Sequence, residues 1–225
     1  RQRQMCIRDR LDNNIVWDVR TARHPEGEPW LQGGVGFAAD SGENAVAAHN
    51  LFGHISGNYA VSYHLMQSDR VIAGRTGLGR RHSVLNNVFV RCPRRILLGR
   101  AEENTSDGNL FDVADDPTSF RIMSPEPKAT LNLAAWQDYF GFDLHSSQAE
   151  IKAEFDPDRL ELTWRIRGPL PQCQPVEALH ERFPRPCPGP FDEEQWKASV
   201  SGGQGRQAFP RRWVPCPGKE TGAWF

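Results

Sequence analysis

The sequence repeats a short motif in which an asparagine precedes two apolar residues. The motif begins at Asn14, Asn50, Asn87 and Asn109. These asparagines are separated by 36, 37 and 22 positions, and the segments 42–63 and 79–100 align around two of them without a gap. One coil of a parallel β-solenoid needs three short strands and three bends, which takes about 22 residues, or more where a loop is inserted.

Stacking of such coils explains why the repeated residue is asparagine. Successive coils would lie about 4.8 Å apart, so equivalent residues form columns along the axis. An asparagine at a bend can then hydrogen-bond to the backbone and to the asparagines of the neighbouring coils. Behind this ladder, the same register predicts an interior column of Val16, Phe52, Phe89 and Phe111. The alternative is that the asparagines are turn residues after four unrelated strands.

Two features of the chain resemble a known superfamily. The repeats are similar to the coils of right-handed parallel β-helix proteins of the pectate-lyase-like superfamily, which includes polysaccharide lyases and glycoside hydrolases. The segment 132–146, NLAAWQDYFGFDLHS, is similar to the segment L-x-x-W-x-x-x-x-G-x-D-x-H-S that follows the last coil in bacterial members. The resemblance covers residues 13–165, although beyond residue 148 the chain departs from the usual ADPLF type of strand. It implies an all-β, right-handed parallel β-helix with a short helical cap.

The chain divides into four regions on this interpretation. Residues 1–10, RQRQMCIRDR, share no pattern with the rest and resemble the translated sequencing adapters of metagenomic assemblies, so we expect the native chain to be truncated at its amino end. Residues 11–125 are assigned to coils, and residues 126–167 to a cap whose helix Asn132 would begin and Gly141 would end. Residues 168–225 hold ten of the 17 prolines and are predicted to be an irregular tail.

The tail also contains Cys173, Cys187 and Cys216, which lack the C-x-x-C spacing of a zinc site. A disulfide among them would require an oxidising compartment. The resemblance implies such a location, since it predicts a protein that is secreted, periplasmic or attached to the cell surface.

In the superfamily, the sheet built from the third strand of each coil forms the wall of the glycan-binding groove. His64 at the end of one such strand, Asp69 in the following loop and Glu102 after the next third strand are therefore candidate catalytic residues. Hydrolases of this kind need two carboxyl groups about 5 to 10 Å apart, whereas lyases abstract a proton beside a uronate, often with an arginine or lysine base and calcium. Otherwise these three residues are solvated loop charges. No cofactor is predicted, and calcium is expected only if the protein is a lyase. The acidic turn 112–117 is best interpreted as solvated and not as a calcium site.

Arginines are concentrated on one side of the predicted groove. Eight arginines and no acidic residue occur from Arg70 to Arg100. The candidates for substrate binding are Arg70, Arg75, Arg94, Arg95 and Arg100. Guanidinium groups match carboxylates bidentately, which favours an acidic, uronate-bearing polysaccharide. The alternative is that the arginines keep the outer surface soluble by pairing with the acidic run 102–116.

Composition excludes some partners. The net charge is −1 and no apolar run approaches a membrane span. Nucleic acid is not expected as a partner, because the arginine run lacks interleaved aromatic residues and the chain is not basic overall. We therefore expect a monomer that acts on polysaccharide by hydrolysis or β-elimination. A non-catalytic β-helix that serves as an adhesin, a surface layer or a glycan-binding module is the alternative.

Overall fold

The computed structural model describes residues 10–20, 34–40, 43–64, 71–72, 75–76, 80–99, 103–115, 117–123 and 128–209. Within these ranges the chain forms 18 strands, two α-helices and a short 3-10 helix. Most of the strands pair in parallel with at least one neighbour. The predicted all-β class is therefore confirmed.

The chain passes through three sheets in turn, so that one strand from each sheet makes a layer. The first layer consists of β1 (Arg10–Asp12), β2 (Ile15–Trp17) and β3 (Phe37–Asp40). The second consists of β4 (Val46–Ala48), β5 (Leu51–Gly53) and β6 (Val61–His64), followed by the antiparallel pair β7 (Val71–Ile72) and β8 (Arg75–Thr76). The third consists of β9 (Ser83–Leu85), β10 (Val88–Val90) and β11 (Ile96–Leu98). The fourth consists of β12 (Thr105–Asp107), β13 (Leu110–Asp112) and β14 (Phe120–Ile122).

Equivalent strands of successive layers pair in parallel. The first sheet has the order β1-β4-β9-β12, the second contains β2-β5-β10-β13, and the third contains β3-β6-β11-β14. In the second sheet Val16 pairs with Phe52, Phe52 with Phe89, and Phe89 with Phe111. The rings of the three phenylalanines stack at centroid distances of 5.3 and 5.2 Å. The predicted interior column is therefore confirmed, and it forms the centre of the core between the sheets.

Sharp bends separate the first and second strands of each layer. The residue before each repeated asparagine has a positive φ, and these residues are Asn13 (57°), His49 (53°), Asn86 (56°) and Gly108 (66°). Asparagine and glycine adopt this left-handed conformation more readily than most residues. The bend directs backbone amide and carbonyl groups toward the interior, where they need partners.

The asparagine column supplies those partners. Asn87 donates from Nδ2 to the carbonyl of Ala47 (2.9 Å), while its Oδ1 accepts from both the backbone N and Nδ2 of Asn50, each at 3.0 Å. The Oδ1 of Asn109 accepts from the backbone N (2.8 Å) and Nδ2 (3.2 Å) of Asn87 in the same way. Asn14 bonds to Oδ1 of Asn50 from the exposed end of the column. The four asparagines thus form one continuous ladder.

A helical cap closes the fourth layer. After β15 (Ala129–Leu131), which pairs antiparallel with β14, helix α1 (Leu133–Phe140) covers the end of the core with Trp136. The Asn132 side chain accepts a hydrogen bond from the Ala135 amide, and Gly141 ends the helix with φ 65°. The predicted helix and both of its caps are confirmed.

The region predicted as an irregular tail is folded as far as residue 209. Strands β16 (Ser147–Asp156), β17 (Glu161–Arg167) and β18 (Gly205–Ala208) form an antiparallel extension of the second sheet, and α2 (Glu193–Val200) precedes β18. The side chains of Trp164, Phe191 and Trp196 pack with Leu51 and Val88 of the second sheet. The prediction of an irregular tail was wrong for α2 and β18, because the apolar residues of this region cover an outer face that would otherwise be exposed to water. Residues 168–192 contain no strand or α-helix, and their one regular element is the 3-10 helix Glu177–Leu179. Residues 210–225, with Cys216, lie outside the described residues.

Candidate functional site

The third sheet is the predicted binding face. Alternation places Val61, Tyr63 and Phe120 in the interior, where each is fully buried. The intervening positions pair in one row, which consists of Ala38, Ser62, Leu97 and Arg121. Ala38 is exposed and Arg121 is partly exposed, whereas Ser62 and Leu97 between them are buried. The accessible parts of this row are therefore at its two ends.

The candidate catalytic residues are only partly placed. His64 is the last residue of β6, and the register sets it opposite Asp40, the last residue of β3. Neighbouring strands are about 4.8 Å apart, so this register brings an acidic and a histidine residue to adjacent positions. Sequence reasoning missed Asp40, because the strand register that relates it to His64 is a tertiary feature. Asp69 and Glu102 lie outside the described residues.

The arginine run has several different environments. Arg94 is exposed at the bend that leads into β11. Arg80 Nε lies 3.0 Å from Glu43 Oε1 and 3.4 Å from Glu103 Oε2, and Arg81 also contacts Glu43. Of these three ion pairs, the one between Arg80 and Glu103 fits the alternative in which the arginines pair with the acidic run 102–116. Arg75 is placed in β8 by its backbone, while Arg70 and Arg100 lie outside the described residues.

Arg95 has a structural position that excludes contact with a surface ligand. Its side chain is completely buried, and the guanidinium carbon lies 5.3 and 5.5 Å from the ring centroids of Phe111 and Phe120. Its Nη2 donates to the Asp112 carbonyl at 2.6 Å and lies 3.8 Å from Asp115 Oδ2. Its prediction as a substrate-binding residue is therefore corrected: the bend before β11 turns this arginine inward, while the preceding Arg94 faces water.

The acidic turn after β13 uses its carboxylates to support backbone groups. Oδ1 of Asp112 accepts from the amides of Ala114 (3.2 Å) and Ile151 (3.3 Å), and Oδ2 of Asp115 accepts from the amide of Cys92 (2.8 Å). Burial raises the pKa of Asp115 to about 6, although the Cys92 amide opposes this shift. Among the residues that the structure describes, no group of three histidine, cysteine or acidic residues could hold a metal ion.

A buried carboxylate terminates the asparagine ladder. Asp143 accepts hydrogen bonds from Ser106 Oγ (2.6 Å), Asn109 Nδ2 (2.8 Å), Ser146 Oγ (2.6 Å) and Trp136 Nε1 (2.9 Å). Ser146 Oγ in turn accepts from the backbone amide of Asn109 at 2.7 Å, so it occupies the place of the next ladder asparagine. Burial raises the pKa of Asp143, and the hydrogen bonds from Asn109 and Ser106 oppose that shift. The W-x-x-x-x-G-x-D-x-H-S segment therefore supplies hydrogen-bond partners to the polar groups of the last layer. Its tryptophan, aspartate and serine have a structural role.

A second buried titratable group holds the C-terminal segment to the layers. We call residues 172–189 the strap. His49 Nε2 lies 3.4 Å from Glu181 Oε2 and 3.2 Å from Asn86 Nδ2, while the Asn86 side chain bonds to both the amide and the carbonyl of Gln174 at 2.7 Å. Burial lowers the pKa of His49 to about 4, and Arg185 acts in the same direction while Glu181 opposes it. The strap thus spans several layers along the column of left-handed residues.

No protein-family model, curated protein or solved structure matches this chain. Neither of the two described helices has the length and apolar run that a membrane-crossing helix needs.

Proposed function

We propose that the layers are coils of a right-handed parallel β-helix and that this is a secreted or cell-surface protein that binds an acidic polysaccharide. The observation that carries this proposal is the asymmetry of the covering elements. The strap covers the first sheet with Val176 and Leu179, and Phe191 with Trp196 of α2 covers the second. Within the described residues, neither of these apolar clusters extends to the third sheet, whose outward row is buried at Ser62 and Leu97 and accessible at Ala38 and Arg121.

Charge supports an acidic rather than a neutral ligand. Arg94 is exposed at the bend that leads into β11, the central strand of the third sheet, and Arg121 is partly exposed on β14. Arg121 was not among the predicted binding residues, although the pattern Phe120-Arg121-Ile122, with apolar residues on either side, is the signal of an outward position on a strand. A guanidinium group near the ends of the row could hold the carboxylates of a uronate-bearing chain.

Catalysis by hydrolysis or β-elimination at the His64 end of this face is part of the proposal. The register sets Asp40 opposite His64 on neighbouring strands, and acidic and histidine residues are the types that most often transfer protons in catalysis. The alternative is a non-catalytic glycan-binding module. Incubation with polygalacturonate separates the two, since hydrolysis releases reducing ends and elimination produces an unsaturated uronate that absorbs ultraviolet light.

Affinity electrophoresis tests the binding itself. The protein should be retarded in gels that contain polygalacturonate but not in gels that contain a neutral glucan, and high salt should reduce the retardation. The Arg94→Ala/Arg121→Ala variant should lose most of it. A matched control is Arg159→Ala/Arg182→Ala, which removes two exposed arginines outside the third sheet. Equal retardation in both gels, or equal losses in the two double variants, would show that the proposed face does not bind an acidic glycan.

A further inference from the structure

A group of basic residues lies on the face of the β16–β17 hairpin that is opposite α2. Strand alternation buries Ile151, Trp164 and Ile166 on the face that Phe191 and Trp196 cover, and it directs the residues between them to the opposite face. The outward residues line a shallow surface depression, and they are Glu150, Lys152, Arg165 and Arg167. Three of the four are basic, so the depression has a local excess of positive charge.

The pairing of these residues leaves two guanidinium groups without a carboxylate. In the antiparallel register Glu150 is opposite Arg167 and Lys152 is opposite Arg165. The single carboxylate is bound by Lys152, whose Nζ lies 3.1 Å from Glu150 Oε1. Arg165 and Arg167 are exposed and make no ion pair with any residue that the structure describes. Like charges directly opposite each other destabilise a sheet, and Lys152 with Arg165 is such a pair.

We propose that this depression is a binding site for an oxyanion, with Arg165 and Arg167 as its principal donors. Residues two apart on a strand share a face and lie about 7 Å apart, so two guanidinium forks can approach one tetrahedral or carboxylate anion from either side. Lys152 is balanced by Glu150, so the net positive charge of the depression comes from the two arginines. The anion is an inorganic sulfate or phosphate, or the sulfate or carboxylate group of a larger ligand. This proposal does not depend on the third-sheet site.

Nuclear magnetic resonance titration of the whole chain with sodium sulfate, against sodium chloride at equal ionic strength, tests the site. We expect saturable shifts that are confined to the amides of β16 and β17. Arg165→Gln/Arg167→Gln should weaken sulfate binding by about tenfold or more, since each removes a charged hydrogen-bond donor. Arg159→Gln is the control, because Arg159 lies in the turn of the same hairpin but outside the depression. All three arginines are exposed, so these variants should fold normally.

Parallel titrations with phosphate, a sulfated glycan and polygalacturonate identify which source of the anion binds most tightly. The Arg94→Ala/Arg121→Ala variant should bind sulfate as the unchanged protein does, which separates this site from the third sheet. Shifts that do not saturate, that spread over the whole chain, or that persist in Arg165→Gln/Arg167→Gln would overturn the proposal.

Discussion

Replacement of Asn87 by alanine should destabilise the protein strongly, because two buried backbone groups would lose their partners. The amide of Asn50 donates to Asn87 Oδ1 at 3.0 Å, and the carbonyl of Ala47 accepts from Asn87 Nδ2 at 2.9 Å. Asn50 and Ala47 are both fully buried, so water cannot replace these bonds. An unsatisfied buried group costs about 1–3 kcal/mol, so the two together predict a loss of about 2–6 kcal/mol.

Asn14→Ala is the matched control within the same ladder. Asn14 is exposed, and its Nδ2 donates to the Asp12 carbonyl at 2.7 Å, where water can substitute. We expect this variant to lose less than about 1 kcal/mol. Urea denaturation followed by tryptophan fluorescence measures both changes through the midpoint of unfolding. If Asn87→Ala is no less stable than Asn14→Ala, the ladder does not support the layers as described.

Three further changes test other parts of the structure. Asp143→Asn should cost about 2–4 kcal/mol of stability, because the new amide would set a donor against the donors of Trp136 or Ser106. It should also alter the near-ultraviolet circular dichroism of the buried tryptophan. The control Asp138→Asn, on the exposed face of α1, should change neither quantity. His49 has a pKa of about 4 in the folded state, below its ordinary 6.5. The unfolded chain therefore binds the proton more tightly, and the contribution of His49 to stability is complete above pH 6.5 and declines toward pH 4, by at most about 3 kcal/mol. Asp115 acts in the opposite sense over a similar range, so the comparison is between the pH profiles of the unchanged protein and His49→Asn; identical profiles would contradict the assignment. Trp196→Ala should lose about 3–5 kcal/mol of stability, because it opens a cavity between α2 and the second sheet. The control Phe183→Ala, at a side chain that is 81% exposed, should change stability little. Similar melting temperatures for the two variants would argue against the packing of α2.

The repeated asparagines and phenylalanines could be found in the sequence because each layer has the same local requirement. Every layer bends at the same point and must satisfy the same backbone groups, so the residue types recur at Asn50 and Asn87 with the same neighbours. The two ends of α1 could also be predicted from the sequence, because Asn132 and Gly141 act on backbone groups only a few residues away. Local signals of this kind determined the strands of the middle layers, the interior column and the helix.

Tertiary structure decided where the remaining side chains point and what covers the sheets. Arg94 and Arg95 are neighbours in a run of arginines, yet one is exposed and the other is buried on Phe111 and Phe120, because the bend before β11 reverses their directions. Asp40 and His64 become neighbours only through strand register. The prolines after residue 168 predicted an irregular tail, but α2 is stabilised because Trp196 packs with Leu51 and Val88, which are more than 80 residues away in sequence. Long-range burial has no local pattern, and for that reason only the folded chain reveals it.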